Sequence, residues 1–319
     1  MVGRGGLAAG GDPAAARGHV AGGGAVSRRR RNGRAVGGWV LFGLALAAVL
    51  AGVLIPYLWM VSGSFKSSVE LQAADVTRPG MEPSWIPRQP TLDNYRNVNR
   101  TVRILDYLQH SLIISTGTMV VATSIALLAA YALSRWAFPG RNAYVVAVLS
   151  TQMLPGILFL IPYFILFTWL RNQFGIQLRD TYSGMILTYT SFALPFSIVM
   201  LRSFLDSIPV ELDEQAQIDG ASRLRILWSI LLPLARPGIV SVAIYCFIMA
   251  WNEVLFASVL TGSHTRTVAV GLLEYITAHE ARWTMMMAAS IIVSLPVLVL
   301  FSFMQRYVIS GLVSGAVKG

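Results

Sequence analysis

Three carboxylates within four positions, Glu211, Asp213 and Glu214, stand out in a chain that is otherwise poor in charge. Pro209 precedes them, and Asp219, Gly220 and Ala221 follow. Proline suits the first turn of a helix, and the helix dipole favours acids there. Glycine readily takes the left-handed conformation that ends a helix. The spacing therefore predicts a short helix over 209–218, a sharp turn at Gly220, and a second helix from Ala221 that runs into the next apolar run. Neither a paired-carboxylate constellation nor a Ser/His/Asp arrangement stands out anywhere, so the chemistry left to these acids is recognition. Three readings compete. A helix lying on lipid would carry Lys and Arg on its polar face, whereas this one is acidic. A plain connector is the second. A knob docking into a groove of a partner protein is the third, and it matches helix-in-groove recognition.

One further acid, Glu253, follows Trp251 and Asn252 inside a long apolar run. A charge at the centre of a membrane costs at least ~2.5 kcal/mol, so such a residue should face a cavity or a partner. It stands either beside a solute path or in a bond to neighbouring helices at an outer gate, and the sequence leaves both open. Trp251 could offer a ring face to a solute, but a single interfacial tryptophan is more often an anchor. The four histidines, His19, His110, His264 and His279, are far apart in sequence and suggest no metal site. The single cysteine, Cys246, excludes a disulfide framework and any Cys-built zinc or iron–sulfur site within the chain. No Gly-x-x-x-x-Gly-Lys-Ser/Thr phosphate loop occurs, and Lys66 and Lys318 are the only lysines. No cofactor is expected on this chain.

The elements that must position these residues are membrane spans. Of 319 residues, 55% are hydrophobic and 13% charged, with a mean hydropathy of +0.61. Soluble chains carry roughly a quarter charged residues, which argues against a soluble enzyme, and the apolar content excludes a disordered protein. Six runs, 37–61, 111–134, 142–170, 181–201, 237–263 and 283–305, hold no charge except Glu253. Each reaches the ~20 apolar residues needed to cross a bilayer. They lack the alternation of barrel strands, so they read as helices. Pro56, Pro155, Pro162, Pro195 and Pro296 should bend them, and Pro155 and Pro162, seven apart, should share a face.

Residues 1–36 read as a disordered basic tail and 37–319 as a six-helix transmembrane domain with an inner loop at 202–236. Arg28 to Arg31 and Arg34 abut the first span. A retained helix with its arginines on the cytoplasmic side explains them better than nucleic acid or a cleaved signal peptide. This places both termini and the 202–236 loop inside. Over all loops the contrast is weak, 15 Lys and Arg inside against 10 outside. The orientation therefore rests on the cluster, and the formal charge of +10 needs no nucleic-acid partner.

The 202–236 loop resembles the EAA loop of ABC-importer permeases, which reads Glu-Ala-Ala, then Gly, Ile and Leu-Pro at fixed intervals. The chain has Glu214-Gln215-Ala216, Gly220, Ile230 and Leu232-Pro233, and only Gln215 departs. Ser64-Phe65-Lys66, Glu70-Leu71, Trp85-Ile86-Pro87 and Pro90 through Tyr95 resemble the first outer loop of carbohydrate permeases of the maltose-transporter MalG type. Trp251-Asn252-Glu253 and the ending from Gln305 to Gly319 resemble that group as well.

The resemblance implies an all-α membrane protein of type I ABC-importer fold, with six transmembrane helices and a cytoplasmic coupling helix between helices 4 and 5. It implies a cell-membrane subunit that does not hydrolyse ATP. Its partners would be a second permease, two cytoplasmic ATPase subunits holding ATP and Mg, and an extracytoplasmic sugar-binding protein. The cargo would be a di- or oligosaccharide, with most sugar contacts in the other permease. On this reading Pro209, Glu211, Asp213, Glu214, Ala216, Asp219, Gly220 and Ala221 form the ATPase-coupling site. The acids would pair with basic residues of the partner's groove, Ala216 would permit close approach, and Gly220 would set the lever angle. Trp251, Asn252 and Glu253 are the candidate translocation-path residues. The outer residues Lys66, Glu70, Trp85, Tyr95, Glu274, Tyr275, His279 and Trp283 are candidates for meeting the binding protein. The alternatives are a permease of the same fold for another solute such as glycerol phosphate, an ion-driven secondary transporter, and an intramembrane enzyme.

Overall fold

Long apolar runs without charge fold as helices because a helix satisfies its own backbone. The computed structural model bears this out. It describes the backbone of residues 26–73, 84–276 and 281–316, and the side chains of 37–71, 84–276 and 281–306. The chain divides into two compact units, Met1–Leu58 and Trp59–Gly319. Helix α1 (Val26–Ser64) begins inside the stretch that the sequence assigns to a disordered tail, so residues 26–36 are helical; residues 1–25 lie outside the described ones. Short α2 (Ser68–Ala73) and α3 (Asp93–Thr101) follow. Then come α4 (Ile104–Arg135), α5 (Arg141–Ser150), α6 (Leu160–Phe174) and α7 (Tyr182–Asp206).

The second half starts with α8 (Glu211–Ile218) and α9 (Arg223–Ile226). A π-helical turn over Leu227–Leu231 joins α9 to α10 (Leu232–Leu234). The remaining helices are α11 (Arg236–Trp251), α12 (Leu255–Leu260), α13 (Val268–Leu273) and α14 (Trp283–Ala316). Among the described residues five helices are long and apolar enough to span a membrane, and a bent pair, taken as one span, makes a sixth.

Two of the six runs are not the straight spans the sequence suggests. The 142–170 run breaks between α5 and α6. Leu154 and Pro155 are extended, with φ/ψ of −86/131° and −57/127°. Proline has no N–H, and it pushes the residue before it out of helical conformation. Pro155 and Pro162 therefore do not share one helix face. The 237–263 run stops at Trp251 and resumes only as α12. On its other side the helix does not run straight from the coupling loop: Arg223–Leu234 meets α11 at 80°. The break falls at Ala235, where ψ is 1°, and Pro237 supplies no N–H for the Pro233 carbonyl. A π turn and a proline are the usual causes of such a bend.

α4 is the central helix. Ala122, Ala126 and Ala130 recur every four residues on one face and are fully buried, against Ala193, Leu201 and Leu205 of α7. Small residues let two membrane helices approach closely, where lipid gives no hydrophobic drive. Gly238 serves the same end, since a Cβ there would lie 2.3 Å from the Phe204 ring.

Candidate functional site

The acidic helix stands at the end of the bundle where α4, α7 and the 80° bend meet. α8 starts at Glu211, two residues later than Pro209 suggests. Its C-terminus closes as the sequence requires. Ala221 N–H donates to the Ala216 carbonyl at 2.9 Å, Gly220 N–H donates to Gln217 at 3.0 Å, and Gly220 has φ +82°. That is the αL glycine cap. Nothing lies within 4 Å of a Cβ built on Gly220, so the backbone angle, and not space, demands glycine there. The second helix then begins at Arg223, capped by the Ser222 hydroxyl.

The eight residues expected to form one docking face divide between two faces. Pro209, Glu211, Glu214, Asp219 and Gly220 are exposed, and Ala221 is half-buried. Asp213 and Ala216 are buried against the chain's own core. Asp213 therefore does not reach out to a partner, and Ala216 permits close approach of α8 to its own bundle. Arg135, the last residue of α4, takes Asp213: Arg135 Nε donates to Asp213 Oδ2 at 2.8 Å, and the two side chains are only 5% and 7% exposed. The same guanidinium donates to the Leu205 and Ile208 carbonyls, both at 3.1 Å. Tyr131, one turn back, donates to the Arg223 carbonyl at 3.1 Å. Its ring meets Trp136 edge-on, and the Arg223 guanidinium lies over Trp136 at 5.2 Å. The end of α4 is thus bonded to both limbs of the loop that carries α8. The exposed face of α8 keeps Glu211 and Glu214, flanked by apolar Val210, Leu212 and Ile218, the last 85% exposed.

Glu253 sits in the break between α11 and α12. Its carboxylate accepts from the Phe256 N–H at 2.9 Å, the Ala257 N–H at 3.0 Å and the Tyr189 hydroxyl at 2.8 Å. It caps α12 and ties it to α7. Trp251 is buried and stacks on Phe247, with centroids 5.3 Å apart. Asn252 is exposed and donates to the Ile248 carbonyl at 3.0 Å. The three neighbours in sequence point into three different settings.

At the far ends of the helices, polar knots take most of the residues considered for meeting a binding protein. Lys66 is 2% exposed, donates to the Ser84 carbonyl, and lies 4.3 Å over the Trp59 ring. Burial lowers its pKa, with Glu70 opposing. Glu70 accepts from the Arg88 N–H, and Tyr95 bonds Ser64. Buried Tyr275 donates to the Val98 carbonyl, and Glu274 pairs with Arg266. Trp85 and Trp283 stay exposed, and His279 lies outside the described residues. Asp180 joins the loop before α7 to the loop after α12. It accepts from the N–H groups of Gly262, His264 and Thr265 and from the Thr265 hydroxyl, at 2.8 to 3.3 Å. Burial would raise its carboxyl pKa, but these four donors outweigh it and hold the carboxyl below its ordinary value of 3.8. Asp180 has φ +55°, the one non-glycine residue of positive φ among those described.

Residues 102–313 match the family model for the binding-protein-dependent transport system inner membrane component. The chain belongs to this family. It is 36% identical over 280 residues to the inner membrane ABC transporter permease YcjP of Escherichia coli K12, covering 87% of this chain and 95% of that one. To the trehalose/maltose permease MalG of Thermococcus litoralis it is 37% identical over 284 residues, 88% and 96% of the two chains. To the diacetylchitobiose permease DasC of Streptomyces coelicolor it is 30% identical over 287 residues, 90% and 99%. A solved bacterial ABC importer of the polysaccharide alginate superposes with a TM-score of 0.70 at 21% identity, over 87% of this chain and 98% of that one. That likeness gives the fold of ABC-importer permeases. Members of the family are transport permease subunits, and this one is a multi-pass inner membrane protein.

Arg135, Tyr131 and the apolar rim Val210, Leu212 and Ile218 went unrecognised in the sequence. The only available signal was a lone arginine directly after a charge-free span. That pattern marks a membrane boundary in any permease, and nothing in it points to a carboxylate 78 residues away.

Proposed function

We propose that this permease forms the translocation path of an ATP-driven, binding-protein-dependent importer of a di- or oligosaccharide, paired with a second permease. The observation that carries the reading is α8. It is a short helix with an exposed acidic and apolar face, held between a glycine turn and the buried Arg135–Asp213 pair. Glu211 and Glu214 offer charge to basic residues at the rim of a cytoplasmic ATPase subunit's groove. Val210, Leu212 and Ile218 offer the apolar anchors that helix-in-groove docking uses. ATP and Mg belong to that subunit, and this chain is non-catalytic. The arginines at 28–31 put the N-terminus in the cytoplasm, and six spans return the C-terminus to the same side.

The mechanism follows from the bonds. A ligand shifts a two-state equilibrium only through different affinity for the two states. Closure of the ATPase pair draws α8 with it, and the Arg135–Asp213 pair and the Tyr131–Arg223 bond carry the motion of α8 and α9 to α4. Since α4 packs along α7, the motion reaches the whole bundle and not only the helices adjoining the loop. Sugar as cargo is supported by the trehalose/maltose and diacetylchitobiose permeases among the relatives. The test is the reconstituted complex with its binding protein. A di- or oligosaccharide should stimulate ATP hydrolysis, and stimulation by glycerol phosphate alone would overturn the sugar reading.

A further inference from the structure

We propose that the cavity at the broken third span is a subsite for an uncharged sugar unit in transit. This rests on the sugar-importer reading above and deepens it, because the family resemblance places most sugar contacts in the other permease. The cavity measures about 570 Å³ and lies between the α5–α6 break and α7. That is within the range of small-molecule sites, roughly 300–1,000 Å³. Its wall combines two chemistries. Phe159, Tyr163 and Phe192 form an aromatic side: Tyr163 and Phe192 are 5.8 Å apart at 35°, and Phe159 meets Phe192 edge-on at 5.9 Å. The negative face of such rings attracts the weakly positive C–H face of a pyranose. Gln152, Tyr163 and Ser191 supply the polar side. Gln152 Nε2 donates to the Phe192 carbonyl at 3.2 Å, which leaves the amide a second N–H and its oxygen for a ligand. Tyr163 and Ser191 bond each other through their hydroxyls, and such a pair can open to admit a sugar hydroxyl.

The backbone adds to this. Pro195 lies inside α7 and lines the cavity, and its missing N–H deprives the Ser191 carbonyl of its helical donor. Irregular backbone at membrane depth persists only where protein buries it or water-filled space adjoins it. The Ser191 carbonyl and the extended Leu154–Pro155 backbone border this cavity, and water within it would satisfy them. No Asp, Glu, Lys, Arg or His lines the cavity among the described residues. A phosphate or uronate would find no counter-charge there, while a neutral polyol finds the Tyr163 and Ser191 hydroxyls and the Gln152 amide.

The test uses the full complex in proteoliposomes with radiolabelled trehalose, maltose and diacetylchitobiose, measuring uptake and binding-protein-stimulated ATP hydrolysis together. Gln152→Ala removes an exposed amide, and Tyr163→Phe keeps the ring as a second variant should the first fail to assemble. For a sugar the wild type accumulates, each variant should lower uptake about tenfold, the loss of one ordinary hydrogen bond. ATP hydrolysis should stay within about twofold of wild type. Uptake unchanged in both variants, or uptake and hydrolysis falling in parallel, overturns the subsite. Accumulation of none of the three sugars by the wild type overturns the sugar reading itself.

Discussion

Replacing Arg135 by alanine should damage this protein more than any change on the exposed face of α8. The guanidinium is 5% exposed and makes three bonds to the loop: Asp213 at 2.8 Å and the Leu205 and Ile208 carbonyls at 3.1 Å. Asp213 Oδ1 is itself buried and has no hydrogen-bond partner among the described residues, so Arg135 is its one compensating charge. Removing one member of a buried pair leaves the other uncompensated, at a cost of about 3–5 kcal/mol. Asp213→Asn leaves the guanidinium with two carbonyl acceptors and should cost less, about 1.5–3 kcal/mol, the worth of a charge-assisted bond. The double variant R135M/D213L removes both charges and should recover most of the stability, since apolar replacement of a buried pair is often neutral. It should not recover transport, because α8 would no longer be bonded to α4. Denaturant titration of the purified complex gives the stabilities, and uptake per ATP hydrolysed gives the coupling. Single variants that each cost under about 0.5 kcal/mol, or a double variant with wild-type uptake per ATP, would refute a coupling role for the Arg135–Asp213 pair.

Three further outcomes are expected. Gly220→Pro should insert normally yet abolish ATP-driven uptake, because proline cannot adopt φ +82°; Gly220→Asn, which tolerates that angle, should keep most uptake. Glu253→Ala removes three acceptor contacts from α12 and Tyr189 and should cost about 1–3 kcal/mol by denaturant titration, whereas wild-type stability would deny Glu253 its capping role. Asp180 is held below pH 3.8 in the folded state. Its contribution should be complete at neutral pH and fade as pH falls below about 4 through the folded value. Asp180→Asn should flatten that part of the stability–pH curve, and an unchanged curve would show that another group sets the acid limit.

The sequence by itself determined the parts that depend on local chemistry. Charge-free runs longer than a bilayer is thick read as helices, so the helical class was legible, while the breaks in the 142–170 and 237–263 runs were not. The α8 turn was legible too, because acids in a first turn and a glycine at φ +82° act through their own backbone. What the sequence left open is whatever depends on a distant neighbour. Whether Asp213 faces a partner or its own core turns on Arg135, and Glu253 ties α12 to α7 only because Tyr189 comes to meet it. Proline within an apolar run signals a bend, but packing decides whether the helix continues, as through Pro195 inside α7, or parts, as at Pro155. Periodicity reports which residues share a helix face. Only the tertiary structure decides what that face meets, because the cost of burying a charge is set by the partner it finds there.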